Sequence, residues 1–245
     1  MSTEPSLVRR ALVTGASGGI GQAIAERLAR DGAHVVVHAN TRLEAAEAIA
    51  GRIVADGGSA EAIAFDVTDR AAAQAACERL LAAGAIQIVV NNAGVHDDAA
   101  FPALRETQWQ RVIDVSLNGF FNVTQPLVMP MIRTRWGRIV NLSSVAAIAG
   151  NRGQVNYAAA KGALNSATKA LALELASRGI TVNAVAPGLI AAGMAAAIDP
   201  AVIERMVPMK RAGSAAEVAA LVAFLASDEA GYISGQVVSI NGAMI

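Results

Sequence analysis

Cysteine is almost missing from this chain: Cys77 stands alone among 245 residues, so no internal disulfide can form and a reducing cytoplasm is the expected setting. Histidine is nearly as scarce, and His34, His38 and His96 show no metal-ligand spacing, so no zinc or other metal site is expected. Aromatic residues make up only 4%, which leaves Ala, Val, Ile and Leu to supply most of the 54% hydrophobic content. That mix suits helices packed on buried parallel strands. No sign of charge is in excess, because twenty Lys plus Arg balance twenty Asp plus Glu. Neither nucleic acid nor an acidic membrane surface therefore has an electrostatic handle, and small-molecule chemistry is left as the default.

Long hydrophobic runs are lacking too. The uncharged stretch 179–198 contains Asn183, Pro187, Gly188 and Gly193, which break a helical pattern, so it reads as strand, turn and loop rather than a membrane span. MSTEPSLVRR at the start has no apolar core of signal-peptide length and reads as a short tail.

What is present is a rhythm. Short apolar runs recur at 11–13, 35–37, 62–65, 86–90, 138–142, 181–186 and 237–240, most of them separated by amphipathic stretches of helical length. Helices are expected from Gly19 to the Asp31-Gly32 stop, after Arg42, after Asp69 as N-cap and over 155–177. Alternating strands and helices of this kind predict one α/β unit, 1–245, a Rossmann-type doubly wound parallel sheet of about seven strands with helices on both faces. Alanine enrichment in the helices needs no explanation beyond helix propensity.

The first strand runs into Thr14-Gly15-Ala16-Ser17-Gly18-Gly19-Ile20-Gly21 and then directly into a helix. Glycines there let the backbone approach a pyrophosphate at the helix N-terminus, although tight turns in proteins that bind nothing use glycine as well. After the second strand, a carboxylate would accept hydrogen bonds from a ribose 2′-hydroxyl and repel a 2′-phosphate. Ala39 stands there instead, followed by Asn40, Thr41 and Arg42, which offer donors and a positive charge and favour NADPH over NADH.

Tyr157 and Lys161 are four residues apart, which puts them on one face of the 155–177 helix, one turn apart. A phenol with an ordinary pKa of about 10 is a poor proton relay at neutral pH, and a nearby cation favours the phenolate. The run Ile139-Val140-Asn141-Leu142 delivers Ser143 and Ser144 to the carboxyl end of the sheet, where open α/β folds place ligands.

The glycine turn resembles the T-G-x-x-x-G-x-G signature of the short-chain dehydrogenase/reductase family, and other family signatures follow in order along nearly the whole chain. The resemblance implies that Asn92, Ala93 and Gly94 of Asn91-Asn92-Ala93-Gly94 border the cofactor on its nicotinamide or ribose side, and that Asp66 and Val67 meet the adenine, a turn or helix cap being the plainer reading of Asp66. It further implies that Ser144 orients a substrate carbonyl, Tyr157 donates a proton, and Lys161 binds the nicotinamide ribose while lowering the tyrosine pKa. Pro187, Gly188 and Ile190 would complete the cofactor site, with 189–212 as an apolar substrate lid.

Three departures stand out. Ser116 occupies the place of the family's fourth catalytic residue, an asparagine, with Asn118 as an alternative on another helical face. Gly18 stands where NADPH-preferring relatives carry Arg or Lys, and Ala192 where relatives carry a threonine.

Gly150-Asn151-Arg152-Gly153-Gln154-Val155-Asn156-Tyr157, the stretch from Ala176 to Asn183 and Ser234-Gly235-Gln236 look like the 3-oxoacyl-acyl-carrier-protein reductase branch of that family. That implies NADPH-dependent reduction of a 3-oxoacyl thioester, on acyl carrier protein or coenzyme A, in fatty-acid or polyketide/polyene-type synthesis. It also implies a homotetramer, built through long helices over 112–131 and 155–177 and through the C-terminal strand, with Arg135 and Arg178 docking the acidic carrier unless they are ordinary surface charges. Two alternatives stay open: a general alcohol or ketone dehydrogenase on the same scaffold, and a catalytically weak cofactor-binding subunit.

Overall fold

A computed structural model describes residues 8–192 and 199–245. Seven strands, β1 (Arg10–Val13), β2 (His34–Ala39), β3 (Ser59–Ala64), β4 (Ile88–Asn91), β5 (Gly137–Leu142), β6 (Ile180–Pro187) and β7 (Val237–Ile240), form one sheet. Their order is β3-β2-β1-β4-β5-β6-β7 and every pairing is parallel. The connections carry helices α1 (Gly19–Arg30), α2 (Leu43–Ala55), α3 (Arg70–Ala82), α4 (Glu106–Ile113), α5 (Gly119–Thr134), α6 (Ala146–Ala149), α7 (Val155–Leu175), α8 (Pro200–Met206) and α9 (Ala215–Ala226).

Alternation along the strands divides the core. Ala11, Val13, Val35, Val37 and Val185 point to one face and pack under α1, α2 and α9. Leu12, Val36, Val89, Ile139 and Val182 point to the other, under α3, α5 and α7. Helices on both faces follow from strands that are apolar on both.

The expected strands all form, with shifted ends. β3 begins at Ser59, three residues before the predicted 62, because this edge strand alternates exposed Ser59 and Glu61 with half-buried alanines and shows no apolar run there. Asp69 caps α3 as predicted, its carboxylate accepting from the Ala71 and Ala72 N–H groups. The helix predicted over 112–131 is continuous but not uniform: α4 passes through a π-helical turn, Asp114–Asn118, before α5. The helix predicted over 155–177 ends at Leu175 and tightens into a 3₁₀ turn, Ala176–Arg178.

Because β1 lies between β2 and β4, the connections leaving its two neighbours run in opposite directions. The crevice this opens at the carboxyl ends of β1 and β4 is where such sheets hold ligands. No helix among the described residues is long and apolar enough to cross a membrane, and no group of three or more potential metal ligands occurs among them.

Candidate active site

The glycine turn between β1 and α1 is held from three sides. Gly15 and Gly19 adopt left-handed backbone with φ of 63° and 58°. A side chain on Gly21 would come within 2.5 Å of the Asn92 amide and of the Gly15 carbonyl. The Asn92 Nδ2 donates to the carbonyls of Thr14 and Gly15 at 2.8 and 3.0 Å. The Asn92 and Ala93 N–H groups in turn donate to Thr14 Oγ1. Asn92, expected as a direct cofactor contact, thus spends its amide on fastening β4 to the glycine turn, while its residue still lines the cavity described below.

His38 completes the cradle, and sequence reasoning missed it. Its buried ring accepts from the Gly15 N–H through Nδ1 at 3.0 Å and lies 2.9 Å from the Phe65 carbonyl through Nε2. The neutral Nε2–H tautomer satisfies both contacts. Burial holds the ring neutral, pushing its pKa down to about 4. Only the parallel pairing of β1, β2 and β3 brings these three segments together.

The residues present fit a dinucleotide. Gly18 is extended, nothing stands within 4 Å of where its side chain would point, and no side chain caps the N-terminus of α1, so its first N–H groups remain open to a pyrophosphate. Asn40, Thr41 and Arg42 are exposed at the carboxyl end of β2, and no carboxylate pairs with Arg42 among the described residues. Asp66 is exposed too, with Oδ1 already accepting from the Thr68 N–H and hydroxyl, so the turn reading and an adenine contact are compatible. Val67 is buried against Gly119.

A cavity of about 240 Å³ adjoins the turn, and Ser144, Tyr157 and Lys161 line it together with Gly94, Pro187 and Ile190. Its position follows from three elements: β5 ends at Leu142 and delivers Ser144, α7 presents Tyr157 and Lys161 from one face, and β4 brings Gly94 up to the Lys161 ammonium. Ser143 faces inward and donates to the Lys161 carbonyl, which leaves Ser144 to the cavity.

Lys161 is 3% exposed, donates from Nζ to the Leu142 carbonyl at 2.7 Å and lies 5.8 Å from the centre of the Tyr157 ring. Desolvation pushes its pKa down to about 8. Tyr157 behaves differently from expectation: burial raises its pKa above the ordinary phenol value, the Ser144 hydroxyl opposes this, and the Asp98 carboxylate adds to it. The ammonium, turned to Leu142, does not dominate the phenol, so the cavity keeps Tyr157 protonated.

The remaining predicted residues are scattered. Ser116 lies in the π-helical turn, 2% exposed, its hydroxyl buried without a protein partner. Asn118 is exposed and donates to Asp114, which removes it as a substitute. Arg135 ends α5 in left-handed conformation and Arg178 precedes β6, so both sit at the amino edge of the sheet, opposite the cavity rather than at its mouth. Of the predicted lid, Ala192 lines the cavity and Ile190 bridges to Gly213, while 193–198 lie outside the described residues.

The family described as short chain dehydrogenase matches residues 9–202. The chain belongs to that family. Among curated relatives, a 3-oxoacyl-acyl-carrier-protein reductase FabG of Aggregatibacter actinomycetemcomitans is 48% identical over 239 residues, covering 95% of this chain and 98% of the relative. A FabG of the same description from Staphylococcus aureus is 44% identical over 97% of this chain and 98% of its own length, and Nodulation protein G of Azospirillum brasilense is 43% identical over 96% and 97%. This short-chain dehydrogenase is thus an oxidoreductase with a nicotinamide cofactor.

Proposed function

We propose that this short-chain dehydrogenase reduces the 3-keto group of a 3-oxoacyl thioester, carried on acyl carrier protein or coenzyme A, to the 3-hydroxyacyl thioester in fatty-acid or polyketide/polyene-type synthesis, with NADPH as reductant. The observation that carries the reading is the convergence of Ser144, Tyr157 and Lys161 on one cavity beside the glycine turn, in a chain 48% identical to such a reductase. Asn40, Thr41 and Arg42, with no carboxylate paired to Arg42 among the described residues, support NADPH over NADH. Gly15, Ser17, Gly18, Gly19, Ile20 and Gly21 would hold the pyrophosphate, Asp66 and Val67 the adenosine end, and Gly94, Pro187, Gly188 and Ile190 the nicotinamide end.

When bound, the reduced nicotinamide supplies the hydride. The Ser144 hydroxyl donates a hydrogen bond to the substrate ketone, fixing its oxygen against Tyr157. As that oxygen gains charge, the Tyr157 phenol transfers its proton to it. A phenol held protonated by burial suits this direction of reaction. Lys161 stabilises the phenolate left behind through its buried charge, and Ser116, a hydroxyl without a protein partner on the turn packed against α7, would hold a relay water through which solvent returns the proton.

The functional unit is the whole chain, 1–245, with 189–212 as its substrate lid, and its setting is the cytoplasm, in keeping with a single cysteine. The assembly is a homotetramer. Arg135 and Arg178, at the amino edge, can dock an acidic carrier only for the cavity of a second copy.

Acetoacetyl thioesters of acyl carrier protein and of coenzyme A, followed by NADPH and NADH oxidation, test the reading. Fast NADPH oxidation is expected, falling about 10³-fold in Tyr157→Phe. Cofactor binding without turnover of either thioester overturns it, and turnover of simple ketones instead reassigns the chain as a general ketone dehydrogenase.

A further inference from the structure

The loop after β4 carries a histidine that neither the glycine turn nor the proton chemistry uses. His96 lines the catalytic cavity beside Tyr157, and its Nδ1 lies 3.3 Å from Asp98 Oδ1. Asp98 is itself anchored: its Oδ2 accepts from Gln154 Nε2 at 2.8 Å, and Gln154 Oε1 accepts from Asn151 Nδ2 at 2.9 Å. The neighbouring Asp97 accepts from Gln108 at 2.6 Å and pairs with Arg111, while the Asp97 carbonyl accepts from Asn156 on α7. A loop fastened to the start of α7 through the Asp98 carboxylate and the Asp97 carbonyl, and to α4 through the Asp97 carboxylate, holds the imidazole at a set place on the cavity wall.

Building on the proposed reading, a 3-oxoacyl thioester brings two carbonyls into this cavity, separated by a single carbon. With the C3 oxygen on Ser144 and Tyr157, the thioester oxygen lands within a few ångströms of it and needs its own donor. The cavity's other polar side chains are committed. Asn92 donates to loop carbonyls, Ser143 donates to the Lys161 carbonyl, and Lys161 is turned to Leu142. Val95, Leu142, Pro187, Ile190 and Ala192 offer no side-chain donor. Among the described residues, none meets His96 Nε2. In its imidazolium form the ring donates from both nitrogens, one to Asp98 and one into the cavity.

We infer that His96, oriented by Asp98, is a specificity-determining residue that donates to the thioester carbonyl and so selects a 1,3-dicarbonyl substrate over an isolated ketone. Ser144 and Tyr157 alone recognise any carbonyl; His96 supplies the second point of attachment.

Steady-state kinetics of the intact protein test this with NADPH and two substrates, acetoacetyl-coenzyme A and a trifluoromethyl aryl ketone, which has one carbonyl. In His96→Ala the KM for the thioester is expected to rise about 10-fold with kcat within a factor of about three, and the loss of kcat/KM on the ketone to be at least five-fold smaller. His96→Gln, which keeps an N–H donor on a shorter reach, is expected to recover at least half of the loss on a logarithmic scale. NADPH affinity, read by its fluorescence on binding, monitors the fold in each variant. Thioester kinetics unchanged in His96→Ala overturn the inference, as do equal losses on both substrates; His96→Gln alone decides it if the alanine variant does not fold. A wild-type chain that reduces the ketone and not the thioester is a different failure, that of the proposed function itself.

Discussion

The His38 ring sits among β1, the glycine turn and the end of β3, and its charge state is a property of the fold. Buried and neutral with a pKa of about 4, against 6.5 in the unfolded chain, it takes up a proton later than the unfolded state does as pH falls. Its stabilising share is therefore whole above about 6.5, is lost between 6.5 and 4, and amounts to about 3 kcal/mol. Urea unfolding of the wild type and His38→Gln across that window is expected to show the steeper acid loss in the wild type. Lys161 sets the opposite limb. With its pKa pushed down to about 8 by burial, its charge fades as pH rises through that value, and kcat/KM is expected to fall above pH 8. A profile flat to pH 10 would separate Lys161 from the chemistry. The sequence made the Tyr157 and Lys161 pair legible because four residues on a helix fix one face. It said nothing of His38 or of the Leu142 carbonyl that holds Lys161, since those contacts arise between strands far apart in the chain.

Among the elements, α7 is the one that must not shift, and a buried polar chain holds it. Asn91 Nδ2 on β4 donates to Thr124 Oγ1 on α5 and to Asn141 Oδ1 on β5, and Asn141 Nδ2 donates to Thr168 Oγ1 on α7. Asn141 is fully buried, so Asn141→Ala strands an Asn91 N–H and a Thr168 lone pair beside a new void. The expected cost is about 3 kcal/mol in urea unfolding, with a fall in kcat as the Tyr157 and Lys161 face loosens. A loss below 1 kcal/mol would show the helix to be held by its apolar contacts alone. Apolar runs announced every strand of this sheet, and the Asp69 cap announced α3. The π-helical turn carrying Ser116 had no such signal, because one extra residue in a helical turn leaves the surrounding apolar pattern almost unchanged.

At the scale of the whole molecule, the sheet has two unlike edges. The glycine turn and the cavity share the carboxyl edge, while Arg135, Arg178 and a cluster built on Trp136 occupy the amino edge. Leu173 on α7 is 84% exposed, with Phe121 and Met129 on α5 exposed as well, an apolar face consistent with self-association. Light scattering after size exclusion is expected to give four chains for the wild type and fewer for Leu173→Arg; an unchanged mass would take this face out of the interface. That the arginines lie opposite the cavity could not be read from the sequence, where a matching position carries no direction. Only the run of β5 and β6 from amino to carboxyl edge shows the distance between them and Ser144.

The Trp136 indole is clasped between two guanidinium groups, Arg9 at 3.8 Å and Arg138 at 4.3 Å from the ring, with its Nε1 donating to Asp228 at 3.0 Å. Arg9 precedes β1, Arg138 lies in β5 and Asp228 follows α9, so the ring registers the closure of three distant parts of the chain at once. In a chain with Trp109→Phe its emission is consequently an intrinsic optical reporter of global folding, placed at the edge opposite the cavity.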